Sequence, residues 1–322
     1  MCTSKEFDVV ALGELLIDFT SNGLSNQGNI LFEANPGGAP CNVLTILNKL
    51  GKKTSFIGKV GKDQFGLLLN DTIKQVGINT DNLVLDEEVN TTLAFVHTAE
   101  DGDRSFSFYR EKGADMMLRE DEIKEDIFKK SKIFHFGTLS MTNEGVRNAT
   151  KKALKFAKEN NLLISFDPNL RPPLWKSLDE AKEQIMYGLE YCDILKIADE
   201  ELEFVTRLKD IDEGVKYLRN KYNIKLVLVT MGKNGSKAYY KEIVAEKKGF
   251  LQRNTVDTTG AGDTFCGSIL NYILENDLER LSQENLEEML IFANAAASLI
   301  TTKKGAIKSM PEKYEILKLI EN

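Results

Sequence analysis

Histidine and cysteine are scarce in this chain: two histidines, His97 and His135, and four cysteines, Cys2, Cys41, Cys192 and Cys266, in 322 residues. No two cysteines form a C-x-x-C pair, so neither a zinc cluster nor a disulfide framework is expected, and the thiols read as reduced and packing. No apolar run approaches the ~18 residues of a membrane span, and residues 1–8 lack the apolar segment of a signal peptide. The expectation is a cytoplasmic protein with no membrane partner. Blocks of like charge are also missing. With Lys+Arg 42 against Asp+Glu 49 and a net charge of -7, nucleic acid is an unpromising partner. No Pro-rich linker, low-complexity tract or internal repeat divides the chain, so residues 1–322 are expected to form a single domain, large for its class.

Apolar residues make up 42% and charged residues 28%, values of a globular protein with a sizeable core. Short apolar runs alternate with helical periodicities. Residues 7–12 read as a strand, and Val43, Ile46, Leu47 and Leu50 form an i, i+3, i+4, i+7 stripe closed by Gly51. Strands are expected at 54–60, 132–136, 162–166 and 226–230, and helices at 65–76, 143–160 and 286–300. Repeated βα units imply an α/β fold with a mainly parallel sheet covered by helices on both faces. Residues 20–33 and 93–109 break the rhythm. The second reads as a hairpin turning at 100–103, and the two together suggest a small β-sheet lid or dimer surface built from insertions at about 14–34 and 88–112.

The segment 256–265, Val-Asp-Thr-Thr-Gly-Ala-Gly-Asp-Thr-Phe, runs into an apolar helix containing Phe265, Ile269 and Ile273. Free amides at a glycine-rich helix start, with the positive end of the helix dipole, make an anion site. Asp263 in that first turn is either an N-cap or a base able to take the proton of an attacking hydroxyl. A second glycine turn, residues 35–42, opens the Val43–Leu50 stripe and offers the Asn42 amide to hydroxyl groups. The chain contains no G-x-x-x-x-G-K-[ST] phosphate loop and no early G-x-G-x-x-G dinucleotide turn. His135, inside an apolar strand, reads as a core residue, and Trp175 as packing.

With both glycine turns in view, the chain resembles the ribokinase-like, PfkB-type carbohydrate kinases over essentially its whole length. Gly37-Gly38-Ala39-Pro40-Cys41-Asn42, followed by Gly51, Gly58 and Gly61, is similar to that family's N-terminal signature, and residues 257–263 to its C-terminal one. Ser268 departs from the usual Ala or Gly. Residues 13–19, 108–110 with 114–115, 167–171 with 174–175, and 194–197 look most like fructokinases. The resemblance implies a three-layer sandwich with a lid, Asp263 as catalytic base and the amides of Gly260, Ala261 and Gly262 at the phosphate. It further implies Asp18, Gly37, Gly38 and Asn42 at the sugar, and Arg171, at the carboxyl end of its strand, on the transferring phosphoryl group. Arg110 would close the sugar side from the lid.

For the nucleotide the resemblance implies ATP at Thr230, Gly232, Gly235 and Asn294. Glu201 would hold Mg2+ through water, although Ala198 stands where the family's N-x-x-E pattern has Asn. Asp257, Thr259, Gly305 and Ser309 would form a K+ site. The expected reaction is in-line transfer to O6 of D-fructose. A 2-keto-3-deoxygluconate kinase of the same family, or a catalytically silent sugar-binding regulator, is the alternative, and a homodimer through the lid is the expected assembly.

Overall fold

The structure is a computed structural model and describes residues 5–98 and 104–321. The turn expected at 100–103, and Cys2, lie outside the described residues. The chain opens with β1 (Phe7–Leu12), β2 (Leu16–Leu24), β3 (Ile30–Gly37), α1 (Ala39–Lys49), β4 (Thr54–Gly61) and α2 (Gln64–Gln75). There follow β5 (Ile78–Asp86), β6 (Leu93–Thr98), β7 (Arg104–Tyr109), α3 (Asp126–Lys129), β8 (Ser131–Gly137), α4 (Glu144–Glu159) and β9 (Leu163–Asp167). Next come α5 (Leu178–Leu189), β10 (Ile194–Ala198), α6 (Asp199–Thr206), α7 (Ile211–Lys221), β11 (Leu226–Thr230), β12 (Ser236–Tyr240) and β13 (Ile243–Lys247). Three helices close the chain: α8 (Ala261–Glu275), α9 (Gln283–Ile300) and α10 (Lys313–Glu321).

The nine-stranded main sheet has the order β13-β12-β11-β10-β9-β8-β1-β4-β5. Its strands from β11 to β5 pair in parallel, and β12 and β13 form an antiparallel edge. Side-chain alternation along β1 splits the core between two helical layers. Val10 and Leu12 join Phe134, Phe136, Leu154 and Ile185 on the α4–α5 face, and Val9 and Ala11 join Leu44, Leu47, Phe265, Ile269 and Leu290 on the α1–α8–α9 face. This two-sided burial explains why the central strands read as continuous apolar runs.

Polar side chains set the helix starts. Asp63 caps α2, Asn143 caps α4 and Ser282 caps α9, each accepting an amide of the first turn. The Ser282 cap begins α9 at Gln283, three residues before the apolar stripe that marked it in the sequence. No described helix is long and apolar enough to cross a membrane.

The second sheet has the order β3-β2-β6-β7, with β2 and β6 parallel. It grows out of the main body at two points. The short turn after β1 feeds β2, and Asp63 accepts hydrogen bonds from the Thr91 amide at 2.7 Å and the Thr91 hydroxyl at 2.8 Å, fixing the root of β6. Phe19 stacks on Phe95 with ring centroids 5.0 Å apart and meets Phe65 of α2 edge-on at 5.6 Å. Leu24, Ile30, Leu31, Phe32 and Tyr109 of this sheet stay exposed.

Candidate active site

All parallel strands end on one edge of the main sheet, and there α1 and α8 begin. The two helices pack closely because residue 267 is glycine: a Cβ there would overlap the Ile46 side chain and stand 2.8 Å from the Val43 carbonyl oxygen. That approach sets Asn42 against Asp263, with Asn42 Nδ2 donating to Asp263 Oδ2 at 2.8 Å. Gly260 adopts φ 80 as the N-cap of α8 and brings no capping side chain, and the first helical bond is Thr264 N–H to the Gly260 carbonyl, 2.8 Å. The Gly262 and Asp263 amides therefore have no acceptor within the helix and face the site with the positive dipole end. Gly38, at φ 137, likewise brings no capping side chain to α1, and a Cβ there would overlap the Glu14 carbonyl.

Between these helix ends and the lid lies a cleft of about 330 Å³ lined by Asp18, Asn42, Phe108, Arg171, Lys196 and Asp263, with Glu14, Leu16, Leu139 and Asn169 completing the wall. Burial raises the Asp263 carboxyl to about 6; the Asn42 hydrogen bond, Lys196 and Arg171 oppose that rise and Asp167 adds to it. Burial likewise raises Asp18 to about 7, with Arg171 pulling it down and Asp257 pushing it up. Gly37 leaves room for this carboxyl, since a Cβ there would sit 2.5 Å from Asp18 Oδ2. Asn42 Oδ1 is buried without a hydrogen-bond partner, an arrangement that costs stability unless a ligand completes it.

Lys196 received no role from the sequence. It is the middle residue of the apolar strand β10, is 7% exposed, and its Nζ lies 3.0 Å from Asp167 Oδ2. A Cβ on Gly262 would stand 3.0 Å from the same nitrogen, so a buried ammonium fronts the glycine turn. Burial works against its charge, yet Asp167, Glu201 and Asp263 hold its pKa above the ordinary lysine value. The available signal was the lysine itself, since a charge inside an apolar strand at a sheet's carboxyl end needs a buried counter-charge.

Of the other expected residues, Arg171 is on the cleft wall, its Nη1 donating to the Leu170 carbonyl at 3.2 Å. Arg110 is placed behind the cleft wall. Its guanidinium is buried, bonded to Asp115 at 2.8 Å, Thr142 at 2.8 Å and the Leu139 carbonyl at 2.9 Å, and it braces the Leu139 wall. Glu201 is likewise committed: its oxygens accept the Leu170 amide at 2.6 Å and the Ala198 amide at 2.9 Å. With Ala198 unable to cap α6, Glu201 does so, and its charge reaches the site through Lys196.

Thr230, Gly232 and Gly235 form the turn between β11 and β12. Asn294 accepts from Ser236 Oγ at 2.9 Å and donates to the Lys247 carbonyl at 3.2 Å, holding α9 to the edge strands. Asp257 ties two loops together by accepting the Thr259 amide at 2.8 Å and the Gly305 amide at 3.2 Å. Ser309 is in the second of these loops, its hydroxyl on the Lys304 carbonyl at 2.6 Å. Ser268 fits as a small residue, buried and bonded to the Thr264 carbonyl at 2.8 Å. His135 bonds Ser165 at 3.0 Å and is lowered to about 4 by burial, hence neutral.

A doubly wound sheet whose strand ends carry an uncapped glycine turn, a buried ammonium and a buried carboxylate defines a phosphotransferase acting on an alcohol group. The chain belongs to the pfkB family of carbohydrate kinases, whose model matches residues 6–313. It is similar to Probable fructokinase-2 of Arabidopsis thaliana, 42% identical over 315 residues that cover 97% of this chain and 95% of that protein. Among solved structures it is similar to a Xylella fastidiosa fructokinase with bound ATP, at TM-score 0.87 and 31% identity over 98% of each chain. A double-mutant fructokinase from Vibrio cholerae O395, in a form bound to fructose, ADP and potassium ion, is similar at TM-score 0.87 and 29% identity, covering 98% of this chain and 99% of that one.

Proposed function

We propose that this protein is an ATP-dependent fructokinase that forms D-fructose 6-phosphate by in-line transfer, acting in the cytoplasm as its free Cys41, Cys192 and Cys266 suggest. The observation that carries this reading is the buried Asp263 carboxyl, held by Asn42 beside the bare start of α8. Asp18 accepts sugar hydroxyls and Asn42 Oδ1 takes a further one. Asp263 orients the attacking hydroxyl and takes its proton. The Gly262 and Asp263 amides, Lys196 and Arg171 face the negative charge that builds up across the cleft. Leu16, Phe108 and Leu139 supply apolar wall that keeps water from competing with the sugar.

Bound Mg-ATP supplies the phosphoryl group and screens its charge. The residues present fit such a ligand: an uncapped helix start and a buried cation await an anion. Among the described residues there is no group of three or more His, Cys, Asp or Glu that could hold a metal. Mg2+ would therefore be carried mainly on phosphate oxygens and water, as its hydration chemistry prefers. A K+ between the Asp257–Thr259 and Gly305–Ser309 loops would stiffen the turn that places Gly260.

A sugar acid such as 2-keto-3-deoxygluconate fits less well above about pH 7, where the buried carboxyls of Asp18, Glu14 and Asp263 are ionised and would meet its carboxylate with like charge. ADP release measured across fructose, ribose, tagatose and 2-keto-3-deoxygluconate is expected to be fastest with fructose. A preference for the acid would replace this reading with the alternative kinase, and no turnover with any sugar would point to a silent regulator.

The exposed Leu24, Ile30, Leu31, Phe32 and Tyr109 of the lid form an apolar face suited to a second copy of the chain. Leu31→Asp is expected to convert a dimer into a monomer in sedimentation velocity. A wild-type monomer would rule this assembly out.

A further inference from the structure

Glu14 lies in the turn between β1 and β2 and is 5% exposed. Its Oε1 accepts the Ala39 amide at 2.7 Å, the first amide of α1, where Gly38 offers no side chain of its own. The same side chain lines the sugar cleft and also a chamber of about 10 Å³ behind it, shared with His135, Asp167 and Asp263.

Capping alone does not call for such a residue. Elsewhere in this chain Asp63, Asn143, Ser177, Asp210 and Ser282 cap helices from the residue just before the helix. At α1 the cap comes from 25 positions away, and it places a carboxyl in a site where burying charge is costly. Burial raises this group to about 7, with Arg110 lowering it and Asp115 raising it. Arg110 is itself paired to Asp115 at 2.7 Å, and His135 across the chamber is neutral. The cations near Glu14 are thus either engaged elsewhere or uncharged. Its acceptor capacity exceeds the backbone amides of Ala39 and of Glu14 itself that act on it, since a carboxylate offers about four lone-pair positions. A sugar hydroxyl entering the cleft would complete it.

We propose that Glu14 is a sugar-binding and specificity-determining residue, whose carboxyl hydrogen-bonds hydroxyls of a neutral sugar and repels sugars that carry a carboxylate. This rests on the fructokinase reading and assigns a second carboxyl, beside Asp18, to the recognition of the polyol. One group then serves two ends: its bond to Ala39 anchors the helix that presents Asn42, and its cleft-facing side reads the sugar.

Glu14→Gln tests the assignment, because the amide oxygen can still accept the Ala39 N–H while the negative charge is gone. In this variant kcat/KM for fructose is expected to fall roughly tenfold or more, the scale of a lost charge-assisted hydrogen bond, with the KM for ATP unchanged. The value for 2-keto-3-deoxygluconate is expected to hold or rise, so the ratio between the two sugars shifts further than either constant. Glu14→Ala, which removes the cap as well, is expected to lower thermal stability in addition.

A Glu14→Gln enzyme with the wild-type ratio overturns the proposal and leaves Glu14 a helix cap. A wild-type enzyme that prefers the sugar acid fails the fructokinase reading instead, and the ratio still reports on Glu14. If neither sugar is turned over, calorimetric binding of the same two sugars supplies the ratio, with the same deciding outcome.

Discussion

Asp263→Asn is expected to lower kcat by about 10²–10⁴-fold, the usual worth of a positioned general base, while the KM for fructose stays within a few-fold of wild type. The geometry should survive the change. Asn42 Nδ2, now 2.8 Å from an Asp263 oxygen, can donate equally well to an amide oxygen at that position. What disappears is the group able to take the hydroxyl proton.

The wild-type pH profile provides the companion measurement. Asp263 must be ionised to act, and burial raises it to about 6, so kcat should fall tenfold per pH unit below about 6 and level off above, while the sugar-binding carboxyls Asp18 and Glu14, raised to about 7, act on KM. The acid limb should be missing from the residual activity of the variant. Turnover near the wild-type rate, or an unchanged acid limb, would remove Asp263 from the base role.

Lys196→Met carries the second large effect, on stability and on rate. The Lys196 and Asp167 side chains are 8% and 4% exposed and 3.0 Å apart, and deleting one partner of a buried pair strands the other at a cost of about 3–5 kcal/mol. Urea unfolding should therefore show a clear loss. Because Lys196 and Arg171 are the cations that hold Asp263 down, removing Lys196 should also move the acid limb to higher pH. The double variant Lys196→Met with Asp167→Asn should recover much of the stability, since neither charge is then left alone, but not the rate, since nothing restores the ammonium beside the glycine turn. Recovery of both would make the pair structural, with no part in phosphoryl transfer.

The alternation of β and α along the chain was legible because each central strand is buried on both faces and each helix on one, so the pattern follows directly from the layers. β11 was legible to the residue, Leu226–Thr230. β5, β12 and β13 were not. β5 and β13 lie at the sheet's edges and are mixed in burial, and a half-covered strand lacks the continuous apolar run that marked the centre; β12, one strand in from the edge and mostly buried, is short, and its Ser236 and Lys237 interrupt the apolar pattern. Helix starts were blurred for a related reason: the caps Ser282 and Asp63 are polar and fall outside the apolar stripe they terminate.

Within the site, the two glycine turns were visible as local motifs, because a bare helix start is a property of a few adjacent residues. Glu14 and Lys196 were quoted within motifs yet given no task, since a charged side chain shows its burial only once its neighbours are in place. Arg110, Glu201 and Asn294 illustrate the converse. Each was expected at a ligand because of the family resemblance, and what the sequence did not show is that each also hydrogen-bonds within the fold, to Asp115, Ala198 or Lys247.

The residue order alone thus determined the layered α/β class, the lid as a β insertion and the position of the anion-binding turn, all of which follow from periodicity and from glycine at a helix start. Tertiary structure alone decided the electrostatics of the cleft. Asn42 and Asp263 are 221 residues apart in sequence, and they meet because Gly267 lets two helices touch. Whether Asp263 titrates near 3.8 or near 6 depends on burial and on Lys196 and Asp167, groups contributed by other strands whose distances no local pattern encodes.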